Sequence, residues 1–258
     1  MNFPLLSLAD FQIFLLSLVR VGGLVSAMPV IGGAQTPQRF KIGLTFVLGL
    51  LLFPLTKQYF VGIPFVPVEL TIVIVQEVLL GILVGLIARL IFAAVEFGGT
   101  VIGYQMGFAA ANVFDPQNQR QISLMSQFQN VFAILVFLSL DGHMVLIRAI
   151  VSSFAALPPG HLDFSQGAVP FLVEATTQMF ILGVKFSAPI LAVLLLSSLV
   201  LGLMARVFPQ LNVFLLSFPL NIGLSFLVIG LTLPLIVGLL AREFHQMEIN
   251  IYQLLKLL

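Results

Sequence analysis

Residues 207–241 read VFPQLNVFLLSFPLNIGLSFLVIGLTLPLIVGLLA, without a single Asp, Glu, Lys or Arg. A helix crosses a bilayer with about 20 apolar residues, so this run predicts a long kinked span or a re-entrant segment. Working outward, further charge-free intervals lie at 97–114, 121–140 and 186–205. Three earlier segments are apolar but interrupted: 11–31 carries Arg20, 42–55 is short, and 66–95 carries Glu69, Glu77 and Arg89. Together they predict an all-α, polytopic hydrophobic protein of about six kinked or broken helical segments. Pro189, Pro219 and Pro234 fall inside the apolar runs. Each removes a helical hydrogen bond, which predicts a kink or an interruption there.

Composition agrees with that class and excludes several others. Of 258 residues, 60% are hydrophobic and 8% are charged, where a soluble domain carries about 25% charged residues. With mean hydropathy +1.15, too little polar surface exists to cover a compact soluble body, and lipid or other protein must cover the rest. A net charge of +1 without runs of like charge argues against a nucleic-acid footprint. The absence of Cys excludes disulfides, thiol nucleophiles and thiolate metal sites. With no Trp and three Tyr, the aromatic belt usual at membrane interfaces is weak. Arg39, Lys41, Lys57, Arg120, Arg148, Arg206, Arg242 and Lys256 are spread over nearly every connecting segment, so the positive-inside rule sets no orientation. Residues 1–10 contain Asp10 and no Lys or Arg, unlike a signal peptide, and the N-terminus is expected to be retained.

Two patterns inside the apolar segments bear on packing. Gly81 and Gly85 are four apart, and Gly99, Gly103 and Gly107 repeat that spacing with Ala111. Small residues on one helical face let helices approach closely, within the chain first and against another subunit second. Arg20, Glu77, Arg89, Glu96 and Lys185 are the ionisable residues set in apolar sequence. Charges there are costly, so each is expected to face protein or water, with interhelical pairing that fixes assembly ahead of ion conduction. Arg89 and Glu96, seven apart, share a helical face but are too distant to pair directly, so their partners must come from elsewhere.

No catalytic constellation emerges. Asp141-Gly142-His143 reads as a helix junction, since residues two apart on a helix do not face each other. His161 follows the loop signal Pro158-Pro159-Gly160, and His245 lies beyond the last apolar run. Three separated histidines supply no metal-ligand spacing, and neither a Walker loop nor a dinucleotide fingerprint is present. The expectation is a protein that is not an enzyme and uses no cofactor or metal. The most unusual interval is 99–122, GTVIGYQMGFAAANVFDPQNQRQI, where a small-residue face runs into an amide-rich segment broken at Asp115-Pro116. Non-helical backbone at membrane depth must be buried in protein or line a water-filled space, as a pore loop or plug would; a plain surface connection is the equal alternative.

Several stretches carry a family resemblance: Arg20-Val21-Gly22 with Pro29, the 37–41 segment, GYQMGFAAANVFDP, DGHMVLI from Asp141, and LGLMARVFPQLNVFLLSFPL from Leu201. In that order and spacing the chain resembles, over nearly its whole length, the FliR/SctT family of type III export-gate proteins, the flagellar branch more than the virulence one. The resemblance implies a non-catalytic core subunit of the flagellar export gate, assembled with several copies of FliP and FliQ, with FlhB and FlhA as further partners. It implies that unfolded flagellar proteins are the cargo. The implied location is the bacterial inner membrane and flagellar basal body, with part of the assembly on the periplasmic side. Residues 1–180 would correspond to a FliP-like part and 181–258 to a FliQ-like helical hairpin turning at Arg206, Pro209, Gln210 and Asn212. The loop at about 109–122 would be the family's internal plug. Phe108, Ala109, Ala110, Val113, Phe114, Asp115, Pro116 and Ile122 would form it, with Phe108, Val113 and Phe114 giving apolar closure and Asp115 and Pro116 the break in direction. Gly103 and Gly107 would allow close packing beneath. The alternatives are the virulence counterpart, or a stand-alone proton-coupled small-solute transporter motivated by Glu77, Arg89, Glu96 and Lys185.

Overall fold

A computed structural model of the chain describes residues 8–33, 36–60, 67–107, 123–164, 167–210 and 212–258. The described residues form seven α-helices: α1 (Leu8–Ala27), α2 (Gln38–Thr56), α3 (Pro67–Gln105), α4 (Leu124–Ser139), α5 (Gly142–Ala156), α6 (Ala168–Val207) and α7 (Val213–Leu257). A short 3-10 turn, Lys57–Tyr59, follows α2. Five helices are long and apolar enough to cross a membrane, or six if the bent pair α4 and α5 counts as one span. The all-α polytopic class expected from the apolar runs is therefore observed.

The helix boundaries differ from the charge-free intervals in an instructive way. Sequence reading separates 66–95 from 97–114, yet α3 runs through Glu96 without a break, over 39 residues. Glu96 is exposed there and is a good helix former, so it divides an apolar interval without ending the helix. In the same way α6 extends N-terminally past Lys185 and Glu174 to reach 40 residues, and α7 reaches 45. Of the two outcomes expected at Pro189, Pro219 and Pro234, interruption does not occur: α6 and α7 continue through all three. Long membrane helices tolerate proline because neighbouring helices and local adjustments compensate for the lost bond. What ends α3 is Gly107, whose φ of +92° is the left-handed conformation that stops a helix at little cost only in glycine.

Packing divides the chain into two compact units, Met1–Leu90 with Leu138–Ala175 and Phe244–Leu258, and Ile91–Phe137 with Thr176–Glu243. In the first, Phe14 of α1 meets Phe46 and Phe53 of α2 edge-on at 5.9 and 5.7 Å. Leu16, Val73, Phe60 and Phe154 form a buried cluster beside them. The end of α7 is amphipathic: Phe244, Met247, Ile251, Leu254, Leu255 and Leu258 are buried, while His245, Gln246 and Lys256 are exposed. The Asp163 backbone N–H donates to the Leu258 carbonyl at 2.7 Å, tying this end to the segment before α6.

The second unit packs the end of α3 with α4, α6 and α7 around Ile102, Met106, Met125, Ile190, Leu194, Val228 and Ile229. Here α6 and α7 form an antiparallel hairpin. The Ser197 hydroxyl donates to Asn221 Oδ1 at 2.8 Å, and the two residues are equidistant from Pro209 in the turn. A buried polar pair in an apolar hairpin fixes register, since a slipped hairpin would leave both groups unpaired in a medium without water. Outside these cores the helices remain apolar: Leu50 and Leu51 on α2, Leu195 and Leu196 on α6, and Leu231 on α7 are all more than half exposed. Contiguous surface of that kind belongs against lipid or another protein.

Candidate functional site

The first unit holds a buried ionic node built by three helices. Arg20, on α1, is 0% exposed, as is Glu77 on α3. The two form a bidentate pair, with Arg20 Nε–H donating to Glu77 Oε2 at 2.5 Å and Nη2–H to Oε1 at 2.8 Å. From the α5 side, Ser153 Oγ accepts from Arg20 Nη1 at 3.2 Å and the Leu157 carbonyl accepts from Nη2 at 3.1 Å. The Ser153 hydroxyl proton is committed to the Ile150 carbonyl at 2.7 Å, which leaves its oxygen free to accept from Arg20. Phe154 completes the enclosure, its ring centroid 4.1 Å from the guanidinium carbon. A buried pair is tolerated when its charges are well hydrogen-bonded, and here four of the five guanidinium N–H groups have an acceptor and each Glu77 oxygen accepts one.

The node depends on how closely α1 and α3 approach. A Cβ built at Gly81 would meet the Arg20 carbonyl oxygen, with the Leu24 nitrogen at 2.8 Å and the Gly23 Cα at 2.9 Å; one at Gly85 would lie 2.7 Å from the Ala27 Cβ. Gly81 and Gly85 thus face α1 inside the chain, and Gly23, which sequence reading did not single out, is their counterpart. In the second unit Gly99 and Gly103 face α4, where added Cβ atoms would meet Ser126 and Ser123. Gly107 faces Phe218, whose ring would be 2.5 Å from an added Cβ.

The five apolar-segment charges divide into two groups. Arg20 and Glu77 satisfy each other within the chain. Arg89, Glu96 and Lys185 are exposed, and none takes part in an ion pair among the described residues. The other ion pair described there, Lys57 to Asp10 at 2.6 Å, lies at the surface and contributes little. At the hairpin turn, Arg206 sits in the last turn of α6, Pro209 and Gln210 in the turn itself, and Asn212 just before α7, its Oδ1 accepting from the Leu215 N–H at 3.3 Å. Asp141 and Gly142 form the junction between α4 and α5, with Asp141 at φ +53°. The expected plug residues Phe108, Ala109, Ala110, Val113, Phe114, Asp115, Pro116 and Ile122 lie outside the described residues.

Sequence reading missed Ser153, Phe154 and Leu157, the part of the node contributed by α5 and the residue after it. Serine in an apolar helix is common, and nothing in its spacing points to an arginine more than a hundred residues away. Among the described residues no three His, Asp or Glu side chains gather where a metal ion would be held.

A chain of apolar-faced helices, with its buried charges neutralised inside, is a polytopic membrane protein of the all-α class. It belongs to the bacterial export proteins, family 1, whose family model matches residues 11–247. It is similar to the flagellar biosynthetic protein FliR of Pectobacterium carotovorum subsp. carotovorum, at 35% identity over 84% of this chain and 82% of that protein. The protein of that name from Bacillus subtilis strain 168 is 34% identical over 85% of each chain. That of Escherichia coli K12 is 30% identical over 88% of this chain and 86% of its own.

Proposed function

We propose that this protein is a non-catalytic subunit of the flagellar protein-export gate in the bacterial inner membrane, forming with FliP and FliQ the channel that unfolded flagellar proteins cross. The observation that carries this reading is family membership over residues 11–247, joined by FliR relatives aligned over more than four-fifths of their length. The broad apolar faces of α2, α6 and α7 support it, because a chain so exposed needs other subunits or lipid to cover it. FlhB and FlhA are the further partners in this reading, and part of the assembly lies towards the periplasm. Residues 1–180 act as the FliP-like part and 181–258 as the FliQ-like hairpin; the antiparallel pairing of α6 with α7 supports the hairpin, whose first helix begins at Ala168, before position 181. The flagellar branch is preferred to the virulence branch on the names of the relatives. A stand-alone proton-coupled carrier is disfavoured because such proteins gather ionisable groups at one broken helix, whereas Arg20 and Glu77 are closed on each other here.

The mechanism in this reading is a two-state gate. Loop 109–122 closes the lumen at rest, the close contacts made by Gly99 and Gly103 hold its base, and cargo or a partner displaces it. Deleting residues 110–121 is expected to leave the gate assembled but make cells permeable to small ions, read as loss of membrane potential with a voltage-sensitive dye. An assembled deletion variant with unchanged ion permeability would overturn the plug.

A further inference from the structure

Between Leu79 and Glu96 the exposed face of α3 is narrow, in contrast to its broadly exposed first turns. From Leu80 to Val95 every residue is buried except Ile82, Leu86, Arg89, Leu90 and Ala93. With Leu79 and Glu96 at the ends, the free positions Leu79, Ile82, Leu86, Arg89, Ala93 and Glu96 alternate spacings of three and four. That is the period of a single knobs-into-holes seam, which a helix presents to one partner helix. Helix α6 differs: around Leu195, Leu196, Leu199 and Val200 it exposes a broad apolar side, as a lipid-facing helix does.

We propose that this seam of α3 docks one helix of another protein subunit, and that the docked helix sets a carboxylate against Arg89 and a cationic side chain against Glu96. The proposal rests on the reading of the chain as a subunit of a multi-protein gate. Charge complementarity selects the occupant. Arg89 and Glu96 are both exposed and find no ion-pair partner among the described residues. Two turns of helix hold them about 10 Å apart on one strip. Lipid tails would leave both charges unpaired in hydrocarbon, and an anionic headgroup that accepted from Arg89 would repel Glu96. A helix carrying an acid and a base one heptad apart satisfies both, and apolar residues on its own seam cover Leu79, Ile82, Leu86 and Ala93. The flank of α3 that carries Gly81 and Gly85, beside this strip, is already occupied by α1.

The test uses the full chain co-expressed with the flagellar export genes of its source bacterium, with the photoreactive residue p-benzoylphenylalanine placed in turn at Leu86 and Ala93. Both sites are expected to give adducts to one and the same helix of a second subunit. Arg89→Glu is expected to lower recovery of the complex by at least about tenfold, since an unpaired charge would be left in the interface. Reversing the facing acid found by the crosslinks should restore recovery. If the complex forms but both positions react only with lipid, or if Arg89→Glu assembles as well as the parent, the seam is not a docking surface while the gate reading stands. Restoration by exchanging the two charges within this chain, Arg89→Glu with Glu96→Arg, would mean that the seam pairs with a second copy, and would overturn the proposed partner. Failure of the unmodified chain to form any complex removes the gate reading and this proposal together.

Discussion

Replacing Arg20 or Glu77 singly with Ala is expected to destabilise the chain by about 3–5 kcal/mol, because each replacement strands the other charge in a fully buried site. The measurement is thermal unfolding of the purified, detergent-solubilised assembly, together with the amount of chain retained in the membrane. Arg20 stands to lose more than one contact, as its guanidinium also bonds Ser153 and the Leu157 carbonyl and lies against Phe154. Glu77→Ala therefore leaves a cation that still has three neighbours, whereas Arg20→Ala leaves a bare carboxylate and a cavity. Arg20→Ala is expected to be the worse of the two. The paired replacement Arg20→Met with Glu77→Leu removes both charges while keeping volume, and is expected to recover most of the loss, as other buried pairs do. A double variant as unstable as Arg20→Ala would show that the hydrogen bonds to the α5 side, not the ion pair, hold α1 in place.

Gly81→Val should have an effect of similar size by a different route. The added Cβ meets backbone atoms of Arg20, Gly23 and Leu24, which cannot rotate away as a side chain would. Helix α1 must then move off α3, and Arg20 moves with it. Overpacking of this kind costs about 1–3 kcal/mol, and strain on the Arg20–Glu77 geometry adds to it. Gly43 on α2 supplies the control, since nothing lies within 4 Å of an added Cβ there. Gly43→Ala is expected to be neutral or to stabilise the helix by up to about 1 kcal/mol. Chain abundance in membranes and swimming motility read both variants. Gly81→Val behaving like Gly43→Ala would show that the close approach of α1 and α3 is not required.

Much of this architecture is legible in the chain because apolar helices announce themselves by length and hydropathy. The turn at Pro209-Gln210 between α6 and α7 lies inside the charge-free run 207–241 and is expected only from the family resemblance, whereas the four-residue glycine spacing on α3 marks faces that do pack closely. Helix ends were harder. A charge interrupts an apolar count but not a helix, so Glu96 split one 39-residue helix into two expected segments. Helix α5 did not register as a segment of its own, because Arg148 lies in it and its 15 residues are too few for a span. The charges show the sharpest limit. Sequence treats Arg20, Glu77, Arg89, Glu96 and Lys185 alike, since all sit in apolar surroundings. Only the fold separates a pair sealed within the chain from three groups left facing outward, because partner choice depends on helix pairing across 57 residues for Arg20 and Glu77 and across 133 for Arg20 and Ser153. Interval 109–122 is legible as unusual chemistry, while the plug role proposed for it rests on resemblance.

The most direct test of the central claim is native mass spectrometry of the tagged chain purified after co-expression with the flagellar export genes of its source bacterium. The account predicts one large complex containing this chain together with several copies of each of two other hydrophobic proteins, FliP and FliQ. A lone chain or a homodimer under the same conditions would contradict it.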